Sequence, residues 1–481
     1  MTPTADRRWL TLAIVGAAFF MTVLDVAIVN VALPSIKNDL NVSESSVQWV
    51  ITAYAITFGG FLLLGGRMAD LLGRRRIFIV GLTIFTVASL ICGLANSAGV
   101  LFTARAVQGV GAAIISPAAL SIVTTTFEEG AERNKALGIW GALGGSGAAA
   151  GVLFGGILTK YLGWEWIFFV NVPVGALVFA LTYPFVPESR AELGHRRFDA
   201  AGAVTVTTSL ALFVYGITRA PEVGWGSAQT ILVLIGAAIL FVAALVIEAR
   251  SSAPLVPFGI FRNRSVLAAN VVGFLLGAVI FANFFVLTLY VQQVLHWSAL
   301  RTGVTFLATA GTVVIWAGVS QGLTTRFGAR LVMVIGLLVL AASLGWYTQI
   351  PVHGHYWPDL LPAYLTFALG LAFAFVSVTI AALAGVAPQE AGLASGLINT
   401  NQQIGGAIGI ALATTVFTSY VNSNTKSTLQ SGGTIGDVYT TGFQHAFWVL
   451  IVLSLLGAVA AFVLLRGQKV EVAEGEPAPA A

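Results

Sequence analysis

Asp25 is an acid inside a long apolar stretch. It lies in the run from Trp9 to Leu33, and a helix of about 25 residues crosses a hydrocarbon core roughly 30 Å thick. A charged side chain at that depth costs at least a few kcal/mol, so such residues usually face an internal cavity and carry or exchange charge. We therefore interpret Asp25 as a functional acid. The alternative is an acid that only ties two helices together by hydrogen bonding.

Arg105 is a base within another apolar run, one turn before Gln108. Counted from the ends on the side of Leu33, Asp25 is about eight residues in and Arg105 about seven, which places both roughly 10–13 Å below one surface. A neighbouring arginine favours the ionised form of a buried acid, whereas burial alone favours the protonated form. We therefore predict that Asp25, Arg105 and Gln108 form a proton-coupling group. The alternative is that Arg105 is a structural clamp that binds backbone carbonyls or Gln108.

A segment rich in glycine and arginine follows the second apolar run, from Gly66 to Arg76. Its glycines permit a sharp turn and close helix approach, Asp70 can accept from a helix N-terminus or an arginine, and three successive arginines favour an anionic membrane surface. We predict a loop that holds one arrangement of the helices and releases it, with a plain cytoplasmic anchor as the alternative. The predicted latch residues are Gly66, Asp70, Gly73, Arg74 and Arg75.

Polar and aromatic side chains within other apolar runs are candidate cavity residues. The thirteenth run carries consecutive uncharged polar residues at 399–403, which either face a cavity or bond between helices. Aromatic rings around a cavity suit cationic compounds, and for each ring packing or lipid contact is the alternative. The predicted substrate-binding residues are Asp25, Trp49, Tyr54, Trp140, Asn283, Phe284, Tyr290, Asn399, Gln402 and Gln403.

The sequence favours no metal, cofactor or enzyme chemistry. Its five histidines are scattered, its single cysteine excludes an intramolecular disulfide, and it has no phosphate-binding Gly-x-x-x-x-Gly-Lys-Ser/Thr motif. An enzyme would need a nucleophile or a metal cluster that the sequence does not present. We expect no cofactor and predict a proton gradient as the energy source.

The composition is that of a polytopic membrane protein. Hydrophobic residues make up 57% and charged residues 9% of the 481 residues, whereas about 25% of the residues in soluble domains are charged. Apolar runs of at least about 18 residues, separated by charges, Pro and Gly, predict fourteen transmembrane helices. The predicted spans are 9–33, 46–66, 77–96, 99–125, 135–158, 165–186, 200–218, 228–249, 265–290, 302–323, 331–350, 360–386, 393–420 and 442–466.

An even number of helices puts both termini on one side of the membrane. Of the 24 Lys and Arg residues, 18 lie on the side of the termini, Arg105 lies within a helix, and five lie opposite, namely Lys37, Lys160, Arg219, Arg301 and Lys426. Because cytoplasmic loops carry the excess of Lys and Arg, we predict cytoplasmic termini and a plasma (cytoplasmic) membrane location. The net charge of +4 is spread over these short loops, so it indicates no nucleic-acid partner.

A faint internal repeat divides the chain. Residues 66–76 follow the second predicted helix and residues 321–330 follow the tenth, and both segments place a glycine before a cation. This pattern is typical of two parallel six-helix bundles. The predicted all-α membrane protein has a first bundle at 1–187, a loop and two extra linker helices at 188–261, a second bundle at 262–466 and a disordered cytoplasmic tail at 467–481.

Six segments carry motif-like sequences, namely Leu24–Pro34, Gly66–Arg76, Arg105–Gly111, Trp164–Pro173, Tyr290–Leu295 and Ser395–Gly406. Together they resemble the fourteen-helix drug:proton antiporters of the major facilitator superfamily, along nearly the whole chain. The sequence departs from that family at three points, one of which is His296, where the family often has glycine. Val152 rather than proline follows Gly151, which argues against a kink there, and the second repeat carries Thr325 in place of an acid.

The resemblance implies the major facilitator fold and export of bulky lipophilic or cationic compounds, as in multidrug efflux and antibiotic resistance, in exchange for inward protons. It also implies that Asp25 is the proton and cation site, that Arg105 is its coupling partner, and that Asp70 with Arg74 is the cytoplasmic latch. The implied partners are small-molecule substrates, protons and the lipid bilayer, and the sequence is compatible with a monomer. The alternatives on the same fold are a solute facilitator or importer and a lipid exporter.

Overall fold

Long α-helices account for nearly all of the structure. This computed structural model describes residues 5–42, 44–47, 49–190, 200–251, 256, 258–387 and 390–465. The predicted disordered tail at 467–481 lies outside the described residues, as does most of the predicted loop between the sixth and seventh helices.

The helices follow one another with short connections. They are α1 (Ala5–Asp39), α2 (Glu44–Val47), α3 (Trp49–Leu72), α4 (Arg74–Gly93), α5 (Ala98–Thr126), α6 (Ala131–Tyr161), α7 (Trp166–Phe169), α8 (Asn171–Phe185), α9 (Ala200–Val223), α10 (Ala228–Arg250), α11 (Arg264–Leu289), α12 (Ala299–Phe327), α13 (Ala329–Tyr347), α14 (Leu361–Leu383), α15 (Ala391–Gln430) and α16 (Ile435–Leu464). A 3₁₀ turn at Phe258–Arg262 precedes α11, and π-helical turns at Tyr290–Val294 and Tyr356–Leu360 follow α11 and precede α14.

Fourteen of these helical stretches are long enough to cross a bilayer. Thirteen stretches in the described part of the chain combine that length with an apolar composition, and α6 adds a helix of 31 residues. The helices α7 and α8 together form one stretch, Trp166–Phe185. The predicted all-α membrane protein is therefore confirmed.

Two predicted helix ends are wrong. The first span continues through Pro34 to Asp39. A proline within a helix leaves the carbonyl four residues earlier without its N–H donor. Here that carbonyl belongs to Asn30, an exposed residue, so the helix can continue past the proline. The stretch 421–441, predicted as a loop, is helical up to Gln430. There Asn424 donates to a carbonyl of the preceding turn at 2.9 Å, and such bonds satisfy polar side chains within a helix that extends beyond the hydrocarbon.

The predicted loop at 66–76 is also mostly helical. The helix α3 continues to Leu72 and α4 begins at Arg74. Only Gly73 interrupts them, with φ +110°, and a Cβ there would lie 2.9 Å from a Glu188 carboxylate oxygen. A side chain is therefore disfavoured at this turn by the backbone conformation, and it would also displace the Glu188 carboxylate.

The long helices form two six-member groups. The first bundle contains α1, α3, α4, α5, α6 and the α7–α8 pair, and the second contains α11 to α16. The bundles meet along two seams, where α6 packs on α12 and α3 packs on α15. Both seams are tight, because a Cβ on Gly303 would lie 2.9 Å from Leu153 Cα and one on Gly392 would lie 2.6 Å from the Gly66 carbonyl oxygen.

Two extra helices, α9 and α10, pack against each other outside the two bundles. The helix α9 lies over the seam between α3 and α15. A Cβ on Gly60 of α3 would lie 3.2 Å from Ala211 Cβ of α9, and Trp225 Nε1, beyond the end of α9, donates to Thr415 Oγ1 of α15 at 2.7 Å. The extra pair therefore contacts both bundles at one seam.

The small residues of α6 allow close packing on two of its sides. A Cβ on Gly151 would lie 2.6 Å from the Leu24 carbonyl oxygen of α1, next to Asp25, and one on Gly156 would lie 3.0 Å from Leu300 Cα of α12. The helix is continuous through Gly151. These close approaches place α1 of the first bundle and α12 of the second bundle directly against α6.

Candidate functional site

Asp25 is fully buried and accepts hydrogen bonds from side chains of α5 and α8. Its Oδ2 accepts from Arg105 Nη1 at 2.6 Å, and its Oδ1 accepts from Gln108 Nε2 and from Asn171 Nδ2, both at 2.9 Å. Its oxygens thus accept from three nitrogen donors, one of them a guanidinium, and such charge-assisted bonds are the strong ones. The structure thus brings together the three residues that the sequence analysis placed in one proton-coupling group.

Arg105 is held by α3 as well as by Asp25. Its Nε donates to the Val50 carbonyl at 2.9 Å, and its guanidinium lies 4.3 Å from the centre of the Tyr54 ring. The Phe168 ring lies on another side at 5.6 Å. Desolvated contacts of this cation–π type contribute about 2 kcal/mol. Arg105 therefore pairs with the acid and also binds a backbone carbonyl, so the contacts expected for each of its two alternative roles are both present, and its part in proton coupling stays a prediction.

Gln108 connects the ion pair to α4. Its Nε2 donates to Ser89 Oγ at 2.6 Å in addition to Asp25, while its Oε1 accepts from Arg105 Nη1 at 2.6 Å. The Cys92 thiol lies 3.8 Å from the same oxygen. Both the oxygen and the nitrogen of the Gln108 amide have partners, so the hydrogen bonds define the orientation of the side chain. The amide in turn holds Asp25 and Arg105 at their observed separation.

Asn171, Ser89 and the Val50 carbonyl are site groups to which the sequence analysis gave no role. Asn171 is the first residue of α8 and lies 3.5 Å from Ser89 Oγ as well as 2.9 Å from Asp25. The sequence could have indicated Asn171, because this amide lies within an apolar span, in the family-like segment at 164–173 and near the same end of the span as Asp25. Ser89 gave no such signal, since an isolated serine in an apolar helix is ordinary.

The pair is closed to solvent in this arrangement. Asp25 is 0% exposed and Arg105 is 1% exposed, so neither a proton nor a cation reaches the carboxylate unless helices move. Protonation of Asp25 would remove the charge that balances Arg105, and an unbalanced buried charge is costly. A change of protonation at this site is therefore coupled to movement of the guanidinium or to the arrival of another charge.

The predicted aromatic cavity residues of the first bundle pack against other rings. Tyr54 lies under the Arg105 guanidinium, and Trp140 is buried and stacked on Phe19 at 4.0 Å. Trp49 is half-buried and lies 6.0 Å from Tyr215 of α9. These three residues are thus placed by packing, and their contact with a substrate stays a prediction.

Three predicted residues of the second bundle also have protein partners. Phe284 is half-buried with its ring 5.4 Å from Phe306, and the hydroxyl of the buried Tyr290 donates to the Pro351 carbonyl at 2.6 Å. Asn399 Nδ2 donates at 2.8 Å to the carbonyl one turn earlier in α15. Their role in substrate binding likewise stays a prediction.

Two predicted amides of the second bundle carry buried atoms that are not hydrogen-bonded. Asn283 Oδ1 on α11 and Gln402 Nε2 on α15 have no partner in the part of the chain that the structure describes. Gln403, the next residue, is half-buried. Buried polar atoms without partners are rare in native proteins and call for an explanation such as water or a ligand. The buried hydroxyl of Tyr54 in the first bundle likewise has no partner among the described residues, so Tyr54, Asn283 and Gln402 are the strongest of the predicted substrate contacts on this ground.

The predicted latch joins the two bundles at the end of α3. Asp70 is fully buried, its Oδ1 accepts from Arg74 Nη2 at 2.7 Å and from the Gly392 amide at 3.1 Å, and its Oδ2 accepts from the Leu393 amide at 2.9 Å. Those amides are the first of α15, where the helix dipole favours an anion. Asp70 therefore binds both partners considered for it, an arginine and a helix N-terminus, and the helix belongs to the opposite bundle.

The other predicted latch residues act mostly within the first bundle. Arg74 Nε also donates to Ser121 Oγ of α5 at 2.6 Å. Arg75 Nη1 donates to the Val186 carbonyl at 3.2 Å, and the Arg75 amide donates to Glu188 Oε1 at 3.1 Å. Gly66 is the exception, because it packs directly on Gly392 of the second bundle.

Replacing Asp70 by asparagine is expected to shift the protein towards separation of the bundle ends. The change removes the charge that Arg74 and the α15 amides share, and a hydrogen bond to a charged group contributes about 1.5–3 kcal/mol. Spin labels at Glu128→Cys and Arg264→Cys, in a Cys92→Ser background, should report a larger population of long distances. The control Asp437→Asn removes an exposed capping acid of α16 and should leave the distances unchanged; an unchanged distribution in the Asp70 variant would contradict the latch.

The second repeat makes a weaker version of the same contact. At the end of α12, Thr325 Oγ1 accepts from Asn134 Nδ2 at 3.0 Å, and Asn134 lies in the first turn of α6. The end of α3 thus meets the start of α15, and the end of α12 meets the start of α6. The acid is replaced by a hydroxyl in the second copy, so the ionic contact exists at one seam and a neutral one at the other.

Two six-helix bundles that meet along two seams, with a buried ion pair inside the first and a charged contact between their ends, define the class of the protein as a membrane transporter. Residues 15–410 match the Major Facilitator Superfamily. The chain therefore belongs to that family, as its motifs predicted, and it is a transporter rather than an enzyme.

Related proteins of this family are named for drug export or resistance. The chain is 40% identical over 466 residues to the puromycin resistance protein pur8 of Streptomyces alboniger, covering 95% of this chain and 92% of that protein. It is 38% identical to the cephamycin export protein CmcT of Amycolatopsis lactamdurans, covering 86% of each. The crystal structure of the human organic anion transporter MFSD10 (TETRAN) aligns with a TM-score of 0.67 over 95% of this chain and 100% of that one. At 15% identity, this last likeness concerns the fold alone.

Proposed function

We propose that the protein is a proton-coupled antiporter that exports bulky lipophilic or cationic compounds by alternating access. One observation carries the proposal: the carboxyl group of Asp25 is sealed inside the first bundle, 2.6 Å from the Arg105 guanidinium. The relatives named for puromycin resistance and cephamycin export support the class of cargo. The chemistry of the site supports the proton coupling.

In the proposed cycle the carboxylate of Asp25 binds the proton. Protonation turns the carboxylate from a partner of Arg105 into a neutral group, so the guanidinium loses its counter-charge. Arg105 retains the Val50 carbonyl and the Tyr54 ring, and these contacts hold the guanidinium within the bundle while the pair is open. A cationic cargo near Asp25 would satisfy the same negative charge, so proton and cargo occupy the site in alternation.

The contacts between bundles support a state that is closed on the side of the termini. Asp70 binds the first amides of α15, and Glu129 Oε1 accepts from the Gly385 amide at 3.0 Å. At the opposite end of α1, Asn30 is exposed, as expected for an amide that faces a water-filled cavity rather than lipid. We infer that protons arrive from the opposite side once the helices around Asp25 move apart there, and that opening of the latch admits cargo.

Two of the proposed cargo contacts with buried, unpartnered atoms lie in the second bundle. Asn283 Oδ1 on α11 and Gln402 Nε2 on α15 offer one acceptor and one donor without partners among the described residues. A few placed polar groups on an apolar wall are typical of sites for drug-sized molecules. With the termini cytoplasmic, as the distribution of Lys and Arg predicts, the cargo would leave the cytoplasm across the cytoplasmic membrane. The proton gradient would be the energy source, without a bound cofactor.

Transport by purified protein in liposomes tests this proposal. An imposed pH gradient should drive accumulation of ethidium or puromycin against its concentration gradient, and an internal pH dye should report proton movement in the opposite direction. One proton per cargo is the simplest stoichiometry for a single acid. Equilibration of cargo without proton movement would instead identify a facilitator, and transport of phosphatidylglycerol alone would identify a lipid exporter.

A further inference from the structure

A crevice on the membrane-facing side of the first bundle takes no part in the proposed transport cycle. It lies between α1, α6 and α8, has a volume of about 560 Å³, and is lined almost entirely by apolar side chains such as Trp9, Phe20, Leu143 and Val174. This volume lies within the range of about 300–1,000 Å³ that is common for ligand sites. It is separate from the seams between the bundles.

Small side chains on α1 create this crevice. Ala13 and Ala17 lie one turn apart on the same face of α1, and both line the crevice. On either side of them the wall consists of large side chains, including Leu143 of α6 and Val174 of α8. The lining residues of α1 extend from Trp9 to Leu24, which is roughly 22 Å of helix and more than half of a hydrocarbon core about 30 Å thick. The crevice is therefore long enough for one acyl chain of one leaflet.

Basic side chains flank the Trp9 end. The exposed Lys135 places its Nζ 5.1 Å from the centre of the Trp9 ring. Arg8 Nη1 lies 3.5 Å from Glu132 Oε2, whereas the buried Arg8 Nε has no hydrogen-bond acceptor within the described ranges. Arg7 is exposed beside them. Arg8 and Lys135 thus place two bases beside the Trp9 end, and one guanidinium nitrogen there lacks an acceptor among the described residues.

The opposite end reaches the proton-coupling group. Asn171 lines the crevice and donates to Asp25 Oδ1 at 2.9 Å. Water that entered the crevice to this depth would reach the back of the Asp25 cluster from the lipid side. An apolar chain in the crevice would exclude that water and keep the interaction between acid and base in a low-dielectric environment.

We propose that the crevice binds an anionic phospholipid of the leaflet that faces the termini. Its phosphate lies between Arg8 and Lys135, and one acyl chain runs past Ala13 and Ala17 towards Asn171. The apolar wall and elongated shape fit a chain, and the two bases that flank the Trp9 end, Arg8 and Lys135, favour an anionic headgroup over a zwitterionic one. The bound lipid would keep water out of the end of the crevice at Asn171. This proposal does not depend on the cargo or on proton coupling.

Lipid retention by the purified full-length protein tests the acyl-chain part of the proposal. Native mass spectrometry of protein titrated with phosphatidylglycerol should detect one tightly retained lipid in the unaltered protein. Ala13→Trp fills the crevice and should reduce occupancy at least about tenfold. The control Ala238→Trp places the same ring on an exposed, membrane-facing alanine of α10 and should retain the lipid. Equal retention by the two variants would overturn the proposal.

Removal of charge at the mouth tests the headgroup part without filling the crevice. We expect the unaltered protein to prefer phosphatidylglycerol over phosphatidylcholine by about tenfold or more, since each nearby base favours an anionic lipid. The double variant Arg8→Gln/Lys135→Gln should bind the two lipids equally. Absence of a preference in the unaltered protein would overturn the anionic assignment. Displacement of the lipid by tetraphenylphosphonium in the unaltered protein, but not in Ala13→Trp, would assign the crevice to lipophilic cations and also overturn the proposal.

Discussion

Asp25→Asn is expected to reduce proton-driven export to the rate of liposomes without protein. Asparagine has nearly the same shape as aspartate but does not take up a proton in exchange for a cation, so the step that couples proton and cargo is lost. The readout is gradient-driven accumulation of ethidium in proteoliposomes, together with cargo-dependent proton movement. Both signals should disappear together if Asp25 is the coupling group.

A matched acid on the same helix provides the control. Asp39, the last residue of α1, accepts a hydrogen bond from Trp164 Nε1 at 3.0 Å outside the proton-coupling group. Asp39→Asn should therefore retain gradient-driven transport. Asp25→Asn must elute as a folded protein, which is expected because Arg105 keeps the Val50 carbonyl, Gln108 and the Tyr54 ring. Its unfolding temperature should fall, because the buried guanidinium loses its counter-charge. Full proton-driven transport by Asp25→Asn would refute its assignment as the coupling acid.

The depth of Asp25 and Arg105 could be predicted because helix geometry is regular. The rise per residue converts sequence position into distance from the membrane surface, and only a few charged residues lie deep within the apolar spans. The two residues therefore had to find partners within the membrane. Their contact at 2.6 Å, with Gln108 bonded to both, follows from the cost of leaving either charge unpaired.

Contacts that depend on how helices pack against each other were beyond reach of the sequence. Nothing in the order of residues places the first amides of α15 beside Asp70, although a glycine pair at 66 and 392 makes that approach possible. Similarly, the sequence could nominate Tyr290 for a cavity but could not reveal that its hydroxyl binds the Pro351 carbonyl. The sequence alone does not distinguish an aromatic side chain that faces a cavity from one that packs against a neighbouring helix.

Helix ends were poorly predicted where polar residues continue a helix. The search for apolar runs ends α15 near residue 420, yet the helix reaches Gln430, because side chains such as Thr425 bind carbonyls of the preceding turn. Hydropathy measures the part of a helix that lies in hydrocarbon, not the full helix. The same reason explains why the segment at 66–76 was predicted as a loop although only Gly73 departs from helical structure.

Arg105→Met is expected to destabilise the first bundle more than the combined variant Asp25→Asn/Arg105→Met. Loss of the guanidinium leaves an acid without a counter-charge among Gln108 and Asn171, and breaking a buried pair from one side costs about 3–5 kcal/mol. Removing both charges avoids that cost, because a neutral amide and a thioether remain. The double variant should recover most of the lost stability while remaining inactive in proton-driven transport.

The single cysteine provides the measurement, since Cys92 is buried and its Sγ lies 3.8 Å from Gln108 Oε1. Its alkylation by N-ethylmaleimide requires the bundle to open, so the labelling rate reports the free energy of opening beside the pair. We expect fast labelling in Arg105→Met, slow labelling in the double variant, and an unchanged rate in Arg301→Met, which removes an exposed arginine above Trp297. Equal labelling of the single and double variants would mean that Asp25 takes up a proton at no measurable cost when Arg105 is absent. In that case the pair would not store the energy that the proposed coupling requires, and Arg105 would act as a clamp for α3 through the Val50 carbonyl.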